Sequence, residues 1–149
     1  MNARQFAIKE GDAQRPAIYQ AEDETSWWKQ GNHLNITEIS ALVVDISDWA
    51  GIDAPQICAY DKTHVARGHI DHLDLPPFAR NVSYICHEMT HTIARQLKTD
   101  DAHGPLFARS LLEVVNQFIG PKEAKELRSR FRAHGIKIAR RSARQRVPA

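Results

Sequence analysis

The pentad His87-Glu88-Met89-Thr90-His91 constrains this chain more than any other stretch. Its spacing, H-E-x-x-H, has a mechanical meaning only on an α-helix. Residues four apart lie about 40° apart around a helix axis, so His87 and His91 project from one face on successive turns and can grip one metal ion. Glu88 stands beside them, where its carboxylate can reach a water on that ion and take its proton. Helicity is written into the flanks. Asn81 is a side-chain N-cap, and Val82, Ile85, Cys86, Met89, Ile93, Ala94 and Leu97 recur at helical spacing. This apolar stripe turns away from the histidines, so the helix is expected to bury one side and offer the other to a cleft.

A catalytic zinc takes three protein ligands and keeps one position open. His103 follows His91 by twelve residues and stands just before Gly104-Pro105. A helix running on to Lys98 ends about 10 Å past His91. The five steps from Lys98 to His103 can span about 17 Å, enough to come back. Glu113, on the next predicted helix, is the competing third ligand. A metzincin pattern is excluded, because the only methionine besides Met1 is Met89 and no Met-turn can form.

The run HEMTHTIARQLKTDDAHGPLF resembles the pattern H-E-x-x-H, a short turn, then H-G-x-x-F/W of SprT-like zincin metalloproteases. The chain is also similar to small metallohydrolases of actinobacteria and their phages. Those share an early segment like DAQRPAIYQAE (Asp12 to Glu22) and a strand followed by Leu-Pro, as at Leu75-Pro76. The resemblance spans about residues 12 to 119, and its metal motif is far more specific than its N-terminal segment. It implies a minimal zincin-like fold and a zinc-dependent hydrolase cleaving a peptide or amide bond. His87, His91 and His103 would be the Zn2+ ligands and Glu88 the catalytic base. The resemblance, with the glycine after His103, favours His103 over Glu113. It supplies no substrate and no oxyanion donor, for which Tyr60, Tyr84 and Arg95 are candidates.

The rest of the chain reads as α+β, with a small, mostly antiparallel sheet, a scaffold helix, and the motif helix packed on a following helix. A short helix is expected between Asp12 and Trp28. Its Glu22-Asp23-Glu24 run reads as a solvated face and Trp27-Trp28 as packing surface. Asn35 and Glu38 form a capping box for the scaffold helix, whose stripe Ile39, Leu42, Val43, Ile46 and Trp49 ends at Gly51. Strands are expected at 56–60, 63–70 and 73–75, with a hairpin turn at Asp61-Lys62. His69 and His72 fall in that strand pattern, where H-x-x-H spacing sends two side chains to opposite faces and disfavours a second metal pair. Pro105 opens the helix after His103. A last helix covers about 121–134, with Gly135 as its cap.

These elements place one domain at residues 12–135, between a flexible segment 1–11 and a basic, disordered tail 136–149. The tail exposes a split hidden by a net charge of +2. Residues 1–120 carry ten Lys/Arg against sixteen Asp/Glu, and residues 121–149 carry ten against two. Such an arm is either a phosphate-binding element for nucleic acid or a solubilising tail. A second function class follows: a nucleic-acid-associated protein with a closed, structural metal site. No apolar stretch is long enough to span a bilayer, the N-terminus lacks a signal-peptide hydrophobic region, and two cysteines are too few for a disulfide framework. A cytoplasmic location is the expectation.

Overall fold

Local signals set most helix boundaries in the computed structural model, which describes residues 12–61 and 64–141. Helix α1 (Arg15–Glu24) has proline in its first turn, where a missing N–H costs nothing. Helix α2 (Ile36–Ala50) carries the expected capping box: Asn35 accepts from the Glu38 N–H, and Glu38 accepts from the Asn35 N–H. It stops at Gly51, whose φ of 70° belongs to the left-handed region glycine tolerates. The motif helix α3 (Val82–Gln96) is capped by Asn81, whose side chain accepts from the Tyr84 N–H at 3.0 Å. Helices α4 (Pro105–Phe118) and α5 (Pro121–Ala133) both start on proline.

The fold is α+β, but its sheet is not mostly antiparallel. Its strands β1 (Gln56–Cys58), β2 (Arg67–Gly68) and β3 (His72–Asp74) lie in the order β1-β3-β2. β2 and β3 pair antiparallel, whereas β1 pairs with β3 in parallel. The expected hairpin at Asp61-Lys62 would have put β1 against β2. Instead β3 takes the centre, where Leu73 is fully buried, and β1 reaches it by a longer connection. Lys62 and Thr63 of that connection lie outside the described residues. β2 is also much shorter than the predicted 63–70 strand, because a tight turn begins right after Gly68.

Two apolar cores lie on either side of α4. One joins α1, α4 and α5 through Ile18, Ala21, Phe107, Leu111, Leu127 and Phe131. The other joins α2, the sheet and α3 through Ile39, Val43, Ile46, Leu73, Ile85, Met89 and Ile93, with Val114 of α4 closing it. The motif helix is more enclosed than a one-sided stripe requires, since Thr90 and Thr92 are also fully buried. Their hydroxyls are satisfied by carbonyls, Thr90 donating to Cys86 and Thr92 to His69.

β2 lies against α3 so closely that only glycine fits at position 68. A Cβ there would sit 1.9 Å from the Glu88 carbonyl oxygen. Past Gly135 the chain stays packed. Ile136 is buried, the Lys137 N–H donates to Gln14, and the Ala139 N–H donates to the Pro105 carbonyl. Residues 1–11 and 142–149, which include most of the expected flexible ends, lie outside the described residues. No helix among the described residues is long and apolar enough to cross a membrane.

Candidate metal centre

α3 and the turn after it bring His87, His91 and His103 together, all three buried. The return to His103 is built from local backbone geometry. Lys98 and Ala102 both adopt φ of 58°, an uncommon conformation for residues with side chains, and so reverse the chain within a few residues. Asp100 accepts from the Ala102 N–H at 2.9 Å. Asp101 accepts from the N–H groups of Leu106 and Phe107 at 2.8 and 3.0 Å, capping α4 from outside. Gly104 lets that carboxylate approach, since a Cβ there would lie 2.5 Å from it.

The three imidazoles lie close enough together to hold a metal ion. His103 Nε2 lies 3.2 Å from His91 Nε2 and 3.4 Å from His87 Nε2. Two nitrogens at about 2.05 Å from a tetrahedral zinc stand about 3.3 Å apart. The opposite ring nitrogens explain how they are aimed. His87 Nδ1 is 2.5 Å from Glu22 Oε2, and His103 Nδ1 is 2.8 Å from Asp12 Oδ2. A carboxylate only accepts, so each Nδ1 carries the proton, and in the neutral imidazole each Nε2 then presents a lone pair. Lone pairs of His87 and His103 facing each other at 3.4 Å repel unless positive charge lies between them. His91 completes the set differently. Burial pushes its pKa well down, which favours the neutral form that can act as a ligand. Its Nδ1 is buried and finds no hydrogen-bond partner among the described residues.

Glu22 and Asp12 were not recognisable as site residues from local composition. Glu22 belongs to a run expected to be solvated, yet it is completely buried beneath His87. One signal was present: Ile18, Ala21, Glu22 and Thr25 share a helical face, so one acid of the run lies on the apolar stripe. Asp12 also accepts from the His103 backbone N–H at 3.1 Å, and Gln14 donates to the His103 carbonyl. Burial alone would raise the Asp12 carboxyl, but the hydrogen bonds from His103 outweigh it and hold the group below its ordinary value.

Aromatic rings wall the histidines. Phe107 stacks on His91 at 4.4 Å between centroids and meets His87 and His103 edge-on. Tyr19 lies 5.2 Å from the His103 ring, and Trp28 meets His87 edge-on. Burial and the nearby Glu88 charge push the Tyr19 phenol up to about 12, so it remains a hydrogen-bond donor at neutral pH.

A cavity of about 730 Å³ opens beside this group, with Glu88, His91, His103 and Tyr19 on one wall and residues 65–72 on the other. Glu88 is 7% exposed, and its Oε1 accepts from the Gly68 N–H at 3.1 Å. Glu113 is elsewhere, half-buried and paired with Arg109 at 3.3 Å in a groove between α4 and α5. Of the candidate oxyanion donors, Tyr60 is 65% exposed and outside the cavity lining, whereas Arg95 lines the cavity and donates to the Gly68 carbonyl and to Asp100. Tyr84 lines a smaller adjoining cavity with Tyr19 and Glu88.

Compared with protein-family models, curated proteins and solved structures, the chain matches none.

Proposed function

We propose that the chain is a zinc-dependent hydrolase, in the first place a metallopeptidase, with a zincin-like arrangement of its site. The observation that carries this reading is the convergence of three imidazole Nε2 atoms, with His91, His103 and Glu88 together on the wall of one cavity. The likeness of residues 87–107 to SprT-like proteases supports the same reading. The donor set fits zinc: three neutral imidazoles, two of them oriented by carboxylates through their other nitrogen. When bound, such an ion supplies Lewis acidity, which polarises a carbonyl oxygen and lets water ionise near pH 7.

The remaining chemistry belongs to the chain's own groups. Glu88, oriented by the Gly68 N–H, accepts a proton from attacking water and returns it to the leaving amine. Glu22 and Asp12 hold the imidazole tautomers. Phe107 and Trp28 exclude water from behind the ligands. The open cavity favours a catalytic centre over the closed structural site of the nucleic-acid reading. Among the described residues the buried histidine group has three members and borders open volume.

Glu88→Gln tests the proposal. The amide oxygen can still accept from Gly68, but it cannot take a proton at neutral pH. Metal content and melting temperature should stay at wild-type values, while hydrolysis of a peptide library, followed by mass spectrometry, falls by about 100-fold or more. Equal cleavage by wild type and variant would remove Glu88 from the chemistry.

A further inference from the structure

The second histidine group is not the strand pair that its spacing predicts. The His69 N–H donates to the His72 carbonyl at 2.8 Å, closing a two-residue hairpin turn over Ile70 and Asp71. With Gly68 opposite Leu73, the register makes His69 and His72 a directly facing cross-strand pair. Such pairs share one face of the ladder. Asp74, two residues after His72, projects to that same face, while Leu73 between them is fully buried on the other. The imidazoles stack at 4.0 Å and 14°, and His69 Nε2 lies 2.9 Å from Asp74 Oδ2.

We infer that His69, His72 and Asp74 form a second binding site for a divalent transition-metal ion, at the rim of the cavity that His91 and His103 also line. One ligand atom from each residue lies within 4.8 Å of the others. Two imidazoles and one carboxylate are a donor set suited to zinc, cobalt, nickel or ferrous iron. The ring nitrogens are already apportioned. Asp71 Oδ1 holds His72 Nδ1 at 2.6 Å, which leaves His72 Nε2 as the ligand atom. His69 Nε2 donates to Asp74 Oδ2, and a metal would take the place of that proton.

The turn itself is held in place. Three α3 side chains bond three successive carbonyls: Arg95 to Gly68, Thr92 to His69 and Gln96 to Ile70. This fixes the backbone under both histidines, so that binding need only adjust side-chain torsions. The three ligand side chains are about one-third exposed, with 30%, 37% and 28% of their surfaces accessible for His69, His72 and Asp74. The site is therefore open to metal from solution and weaker than the buried one.

Titration of the full-length, metal-stripped protein with Co2+, followed by calorimetry and visible absorbance, tests the inference. Wild type should take two equivalents, one tight and one at least 10-fold weaker. The double variant His69→Ala/His72→Ala should keep its melting temperature and the tight equivalent and lose the weak one. His103→Ala should lose the tight equivalent and keep the weak one, which separates this site from the proposed hydrolytic centre. One equivalent in wild type with excess Co2+ that the double variant keeps, or two in the double variant, would overturn the second site.

Discussion

Two histidine groups in this small protein are assembled by opposite means. His69, His72 and Asp74 lie within six residues, and a single hairpin register puts them on one face. His87, His91 and His103 need a helix, a strained reversal and a separate N-terminal segment that supplies Glu22 and Asp12. The local group is about one-third exposed, and its partners are immediate neighbours in sequence. The long-range group is buried, and two of its three rings take carboxylates from 65 and 91 residues away. Burial is what makes the difference. An imidazole in contact with water can turn to any partner, whereas a buried one must find its partner in the fold.

Gly68 joins the two regions, and changing it should have the largest effect. Its missing side chain lets β2 touch the Glu88 carbonyl, and its N–H orients the Glu88 carboxylate. Gly68→Ala must push the strand from the helix, at a cost of about 3 kcal/mol or more. Chemical denaturation should show that loss, and both metal equivalents should weaken together. If the buried site binds normally in this variant, the two groups are less coupled than their shared backbone implies.

A second test separates the groups through their supporting carboxylates. Glu22→Gln and Asp12→Asn each remove a charge that fixes an imidazole tautomer. Each should weaken the buried metal by about 10–100-fold, the range for such supporting partners. Competition with a chromogenic chelator measures this directly, and the weak equivalent should be unchanged. A loss confined to melting temperature, with metal affinity intact, would make these acids merely structural.

The smallest effect is expected under the local group. Thr92→Val keeps the shape of a fully buried side chain but removes its hydrogen bond to the His69 carbonyl. The cost should be about 1 kcal/mol in denaturant unfolding, with the weak metal equivalent loosened and the tight one retained. An unchanged weak equivalent would show that the clamp on the turn does not preorganise its histidines.

Much of the framework was legible because its causes are local. The Asn35–Glu38 box, Gly51, Asn81, Pro105 and Pro121 bound their helices through groups only a few residues apart. The same holds for the i, i+4 pairing of His87 with His91. The acidic run at 22–24 was opaque for the opposite reason. Composition cannot distinguish a solvated glutamate from one buried against an imidazole unless the helix face is set by its packing partners.

By itself, then, the sequence determined where the helices begin and end, that one of them presents two histidines with a glutamate beside them, and that a third histidine was within reach. Only the tertiary structure decided which acids hold the rings. It also decided that Glu113 faces Arg109 and that β1 runs parallel to β3. It made an H-x-x-H on a supposed strand into a facing pair across a turn. The physical reason is range. Capping and helical periodicity act over three or four residues, but strand register and the partners of buried polar groups are chosen by what the whole chain packs against them.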